Sequence, residues 1–407
     1  MPPNPVCPRC GEPLPSAEPD CPYCAGRKKV PLLHREPLVI AGVVIIAAAL
    51  WAGATFVTAA YAARQQSLAR QWFNRGEADV RAGRLDDAIS KLRTALAYSP
   101  DNFEYRLKLA EALAAAGRTR QAQAYLRALW DEEPGNGTVN LELARLAVQT
   151  YDIPGVLRFY HGAIYGVWQD NPAERRRETR IELVNFLLAQ RQIQQAQSEL
   201  IALAADLPRD PALLLGVAGL MVKAGDYRRA LEEYREVLAL DPNNVEALGG
   251  AGSAAFALQM YPEARDFLRR AVAAGSRGPQ VAAQLQTAEL VLQMDPFRPR
   301  LPASERVQRI LSAFTRAGNR LQQCAAAGAI ALDKPMGNTP LPADYANWMA
   351  LKPKMKEQKL RRDLEPGDAA MEVVFRIERD TAQVCGPGVP ADQALVLIAQ
   401  RRNGSTP

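Results

Sequence analysis

The chain has 407 residues, 48% hydrophobic and 23% charged, with a net charge of +6 and six cysteines. This size and balance exclude a disordered chain and leave room for two or three domains. Basic residues are dispersed in short runs such as "ERRRETR", with no aromatic-interleaved stripe, which argues against nucleic-acid binding.

The first element is "CPRCGEPLPSAEPDCPYC", which places Cys7, Cys10, Cys21 and Cys24 in a C-x2-C-x10-C-x2-C spacing. Each pair puts two sulfurs on one turn. Pro8 and Pro22 bias the backbone toward that turn, and Gly11 follows the first pair. Four thiolates suit tetrahedral Zn²⁺ and leave no open coordination position, which predicts a structural centre. Iron has the same ligand preference. A redox dithiol needs a strand–helix context that this Pro-rich stretch lacks. The motif resembles the short CPxCG zinc ribbons of bacterial proteins, with Ala25 where the second knuckle of that pattern has Gly. The ribbon is expected over residues 1–28, with metal binding as most of its folding energy.

Residues 37–63 carry no charge. A helix needs about 20 apolar residues to cross the hydrocarbon core, so a transmembrane helix is predicted here. Trp51 lies within it and Tyr61 near its C-terminal end. "AYA" at 60–62 imitates a signal-peptidase site, but the long motif-bearing segment before it and the long apolar core favour an uncleaved anchor. Arg27, Lys28, Lys29 and Arg35 precede the span, and Arg64, Arg70 and Arg75 follow it. The slight excess on the N-terminal side predicts a cytoplasmic N-terminus, in agreement with thiolate ligation in a reducing compartment.

After the span the chain repeats. "ARQWFNRGEADVRAGRLDDAISKLRTALAYSPDN" (69–102) aligns without a gap on residues 103–136, and the frame returns at 211–244 and 245–278. Residues 137–176 and 177–210 fit less well, the former with extra residues before Pro172, and a partial unit begins at 279. Small residues such as Ala88, Ala122 and Ala230 allow two helices to approach. Gly83, Gly117 and Gly225 turn the chain between them, and Pro100, Pro134 and Pro242 close the units. The 34-residue pattern resembles the tetratricopeptide repeat (TPR). That resemblance implies an all-α solenoid of about six repeats over 69–294, stacked so that neighbours complete each other's core.

The same resemblance implies which positions line the concave groove: Phe73, Val80, Arg81, Leu107, Leu141, Arg145, Val148, Ile181, Asn185, Leu215, Val222, Lys223 and Phe256. Such a groove suits an extended or helical peptide of a partner protein. Any one of these aliphatics equally serves as packing against the next helix.

"DPFRPRLP" (295–302) ends the solenoid. A helix follows with Val307, Ile310, Leu311, Phe314 and Leu321 on one face and Ser304 as its N-cap. Further helices are expected around Tyr345–Leu351, Ala369–Val384 and Ala391–Ala399, forming a helical C-terminal domain or cap over 303–402. Cys324 and Cys385 are a disulfide candidate if this region lies outside the cytoplasm.

His34 and His161 are the only histidines, one beside the span and one inside a repeat helix. No phosphate loop, nucleophile elbow or His-Glu metal motif is present. The sequence therefore predicts a non-enzymatic scaffold in the bacterial inner membrane. It spans once, with structural Zn²⁺, a periplasmic repeat domain that binds protein partners, and no nucleic-acid or small-molecule substrate. Its expected process is envelope assembly or secretion. The alternatives are a cytoplasmic-facing TPR adaptor to a protease or enzyme, of the lipopolysaccharide-assembly type, and a thiol-redox protein.

Overall fold

The computed structural model of the protein describes residues 5–14, 21, 24, 36–333 and 339–404. Pro22, Ala25, Arg27, Lys28, Lys29, His34, Arg35 and most of the loop after Asp333 lie outside the described residues. The fold is all-α, with two compact units, Met1–Val156 and Leu157–Pro407. The division falls among the repeats.

In the first unit, α1 (Glu36–Arg81) is one unbroken helix. It contains the apolar stretch and then, without a break, the first helix of the first repeat. The most apolar window of the helix beyond Val39 has a mean hydropathy of 2.3 and none of it is buried. Ile45, Trp51 and Phe56 are each more than two-thirds exposed. Burial begins at Ala69 and Phe73, where α2 (Leu85–Tyr98) packs back against α1. Continuity is permitted by the sequence, since nothing between Tyr61 and Trp72 breaks a helix.

α3 (Phe103–Ala115) pairs with α4 (Thr119–Glu132) in the same manner, α5 (Gly137–Gln149) follows, and α6 (Ile153–Ile164) runs across the division between the units. The small signature residues Ala88, Ala95, Ala110, Ala122 and Ala144 are buried, with Leu92, Leu126 and Leu129 filling the space they leave. Asn102 and Asn136 accept from the backbone N–H groups of Tyr105 and Val139, so each first helix of a pair has an N-cap two residues after the closing Pro.

The second unit continues the repeats in α7 (Pro172–Ala189), α8 (Ile193–Ala205), α9 (Pro211–Lys223), α10 (Tyr227–Leu240), α11 (Val245–Ala257), α12 (Tyr261–Ala273) and α13 (Pro279–Met294). The extra residues of the third repeat form the loop before α7. There Trp168 is buried and its indole N–H donates to the Ala163 carbonyl at 2.9 Å, while Tyr165 and Val167 are exposed.

The turn between paired helices holds a surprise for the repeats without glycine. Gly83, Gly117 and Gly225 have φ of +73° each. Tyr151, Arg191 and Gln259 occupy the same place in their units and adopt φ of 57°, 57° and 58°. The left-handed turn is thus kept in all six repeats, even where the side chain disfavours it.

The C-terminal helices are α14 (Ala303–Ala327), α15 (Leu341–Leu351), α16 (Glu357–Leu360), α17 (Glu365–Cys385) and α18 (Pro390–Arg402), with a 3-10 turn over Lys352–Lys354. The helix expected to be capped by Ser304 starts at Ala303, with Pro302 at its N-cap position and no side-chain cap. Pro302 carries no N–H and sits readily at a helix entrance, which moves the start ahead of Ser304. Val307, Ile310, Phe314 and Leu321 are buried, and Leu311 is half-buried. They share one core with Ala288, Val291 and Leu292 of α13 and with Leu395 and Ile398 of α18. The C-terminal helices therefore pack as a continuation of the last repeat. Trp348 anchors them: it stacks on Phe314, and its indole N–H donates to the Phe314 carbonyl at 3.0 Å.

Candidate functional site

Three features of the molecule can carry chemistry or recognition. The first is the cysteine knuckle. The Cys7 N–H donates to the Glu12 carbonyl at 2.9 Å, and the Gly11 N–H to the Cys7 carbonyl at 2.9 Å. With the Val6–Pro13 bridge this closes a small hairpin, whose turn needs Gly11 at φ +75°. The sulfurs of Cys7, Cys10, Cys21 and Cys24 all lie within 4.8 Å of one another, and Cys10 and Cys21 are 3.6 Å apart. A tetrahedral metal with bonds of about 2.3 Å to sulfur separates its ligands by roughly 3.8 Å, so the donor set fits such a site.

The thiols are unequal. N–H groups of Arg9 and Cys10 favour the Cys7 thiolate and bring it down to about 7. Hydrogen bonding to Cys10, then burial, pushes Cys24 up to about 12. Successive deprotonation of four crowded thiols is unfavourable without a cation among them, and a divalent ion reverses that balance.

The second feature is the series of groove positions. Phe73 and Leu141 are buried, Phe73 by stacking on Tyr105 with ring centroids 4.5 Å apart, so both serve the core and present no open surface. Val80, Leu107, Val148, Ile181, Leu215, Val222 and Phe256 are half-buried, and Arg81, Arg145, Asn185 and Lys223 are exposed.

In the first unit two ion pairs lie at or next to these positions in sequence. Lys108 and Glu111 meet at 2.7 Å, as do Arg145 and Glu142. Burial opposes the Lys108 charge, but Glu111, Glu77 and Glu142 outweigh it and hold the ammonium above the ordinary lysine range. In the second unit Leu215, Val222 and Phe256 share their helices with Gly216, Gly219 and Gly249. His161 lies 3.0 Å from Glu199, which also meets Arg180 at 3.2 Å. This cluster braces α6, α7 and α8.

The third feature is the predicted disulfide together with a charged network that the sequence does not show. Cys324 and Cys385 are joined as a disulfide, with Cα atoms 5.8 Å apart, linking the C-terminal ends of α14 and α17. Beside it, Arg320 donates to Thr381 at 2.8 Å, to Asp392 at 2.8 Å and to the Gly386 carbonyl at 3.1 Å, and lies 3.2 Å from the fully buried Glu378. Burial first, and then Asp392, push Glu378 up to about 7. No sequence spacing signals this network, because its members are brought together from three helices.

Paired helices stacked on shared small residues define the chain as an α-solenoid repeat protein. The sequence profile of the tetratricopeptide repeat matches residues 79–132, 113–156 and 221–288. The chain thus carries tetratricopeptide repeats in both units. No curated protein matches it.

Solved structures similar in fold include pilF of Pseudomonas aeruginosa, at 16% identity over 55% of this chain and 98% of that one, with a TM-score of 0.37. PilW, described as a widely conserved type IV pilus biogenesis factor, is 16% identical over 54% of this chain and 98% of its own, with a TM-score of 0.36. The C-terminal part of a TPR protein from Cytophaga hutchinsonii is 10% identical over 79% and 99% of the two chains, with a TM-score of 0.40. At these identities the likeness concerns the fold alone.

Proposed function

We propose that the protein is a single-span membrane anchor that holds a partner polypeptide on its tetratricopeptide repeats and carries a structural zinc knuckle on the opposite side of the bilayer. It acts as a non-enzymatic scaffold in the assembly or secretion of bacterial envelope proteins. The observation that carries this reading is α1, whose unburied apolar half runs without a break into the buried helix of the first repeat. An exposed apolar surface of that extent calls for lipid. A helix shared between lipid and solenoid fixes the repeats to the membrane rigidly.

Sulfur chemistry supports the orientation. Four close free thiols lie before the span and a disulfide lies after it. Thiolate ligands persist in a reducing compartment and disulfides in an oxidising one. The repeats are accordingly periplasmic, the domains being the ribbon (1–28), the anchor (37–63), the solenoid (69–294) and the C-terminal helices (303–402).

Crosslinking and pull-down from membranes tests the scaffold. Partners captured by the wild type should be lost with Leu107→Asp combined with Leu215→Asp, both half-buried positions that accept a charge without entering the core. Identical partners from both proteins would defeat the reading. A C-terminal phosphatase fusion should be active only if the repeats are periplasmic. One zinc per chain, released by chelator, separates a structural centre from a thiol-redox site.

A further inference from the structure

Where the repeats of the second unit meet the C-terminal helices, Phe256 of α11, Ala283 and Thr287 of α13, and Val396 and Leu397 of α18 line an open hollow of about 430 Å³. That volume is in the range of specific ligand sites, and its wall is mostly carbon. Its charged lining residues, Arg320 and Asp392, are paired with each other at 2.8 Å, so the pair brings no net charge to the wall.

Two of its three lining glutamines, Gln284 and Gln393, are committed in opposite senses. Gln284 accepts a hydrogen bond from the Ser253 hydroxyl through Oε1 at 2.7 Å, which turns its amide N–H groups to a ligand. Gln393 donates through Nε2 to the Gly388 carbonyl at 2.8 Å, which turns its Oε1 to a ligand. The donor offered by Gln284 and the acceptor offered by Gln393, beside a mostly apolar wall, match a peptide group flanking an apolar side chain. An acyl chain fills the hollow equally well but leaves both amides without partners.

We propose that this cavity is an anchor pocket for an uncharged apolar side chain of an extended partner segment, with Gln284 and Gln393 pairing to the segment's backbone. The proposal rests on the reading that the chain holds a polypeptide. It places the anchor at the end of the repeat groove, on walls supplied by α13 and α18 that the repeat pattern does not predict. Lys or Glu at the anchor position is rejected because the hollow has no counter-charge to spare.

Selection of a phage-displayed library of 12-residue peptides on the full chain in nanodiscs tests it. Wild type should enrich peptides with Leu, Ile, Phe or Met in an uncharged stretch, and Ala283→Trp, which fills the hollow from an exposed helix position, should not retain them. Gln284→Glu keeps the bond from Ser253 but replaces the offered donor by an acceptor. It should weaken the selected peptides about tenfold or more with the melting temperature unchanged. The proposal fails if no peptide is enriched over Ala283→Trp, if charged peptides are enriched, or if Gln284→Glu binds as wild type. Failure here, with partner capture still abolished by the Leu107→Asp and Leu215→Asp pair, removes the pocket and leaves the scaffold reading standing.

Discussion

Both units bury acidic side chains among packed helices, and Asp79 of the first and Glu378 of the second are treated in opposite ways. Asp79 on α1 is 2% exposed and meets both Arg84 and Lys91. The hydrogen bonds from Lys91 and then Arg84 hold its carboxyl below the ordinary carboxylate range. Glu378 on α17 is fully buried beside Arg320, which Asp392 also claims. Burial there exceeds the help of the shared cation, and the carboxyl rises to about 7. Two bases for one acid keep a charge; two acids for one principal base favour a proton. Beside the assigned groove positions the first unit carries the Lys108–Glu111 and Arg145–Glu142 pairs, while the second unit carries glycine-rich helices and ends in a disulfide-linked helical cap. Similar repeats thus present two kinds of surface along one chain.

The largest test of this contrast is Trp348→Ala. It removes the ring that Phe314 stacks on and that occupies the space left by Gly318, whose added Cβ would collide with it. Loss of stability in the second unit should be about 3–5 kcal/mol, read as faster hydrogen exchange in α14 and α17. Next, Cys385→Ser should cost about 2–4 kcal/mol in the same helices, with reductant having no further effect there. Both cysteines sit at helix C-termini, where the dipole opposes a thiolate, so the wild-type disulfide should resist mild reductant.

pH separates the units by sign. Between 4.5 and about 7 folded Glu378 holds a proton that the unfolded chain has released. Stability of the second unit should therefore fall as pH rises through that window, and Glu378→Gln should reduce the trend, leaving the part due to Asp344, which burial raises to about 6. Asp79 works in the reverse direction. Its contribution is present above its unfolded value and is lost as pH falls below about 4 through its depressed folded value. Protection factors in α2, corrected for the intrinsic exchange rate, should fall in acid and stay constant across neutrality, and the same response in both units would refute the comparison.

The smallest effect concerns the turns. Arg191→Gly should stabilise by about 0.5–1 kcal/mol, because a left-handed φ is costly for arginine. Gly83→Ala should cost a similar amount, read from denaturant midpoints.

Much of the fold was legible. Closing Pro residues, Asn caps and small residues at fixed spacing act through local sterics and backbone hydrogen bonds, which depend on neighbours in sequence. The four-cysteine cluster was legible for the same reason, as each pair is a single turn. Phe73 and Leu141 were placed on the groove by position alone, and their burial depends on Tyr105 and on the adjoining helices. The turns at Tyr151, Arg191 and Gln259 were hidden because no glycine marks them; the packing of the helix pair imposes the conformation.

By itself the sequence determined the repeat, the apolar stretch, the cysteine spacing and the two distant thiols that face each other near the C-terminus. Those features are periodic or local, and their physics is that of one helix, one turn or one span. Tertiary structure alone decided that anchor and first repeat are one helix, that Glu378, Arg320 and Asp392 meet beside the disulfide, and that α13 and α18 line an open hollow next to Phe256. These outcomes depend on which faces of distant helices come together, and no residue carries that information in its nearest neighbours.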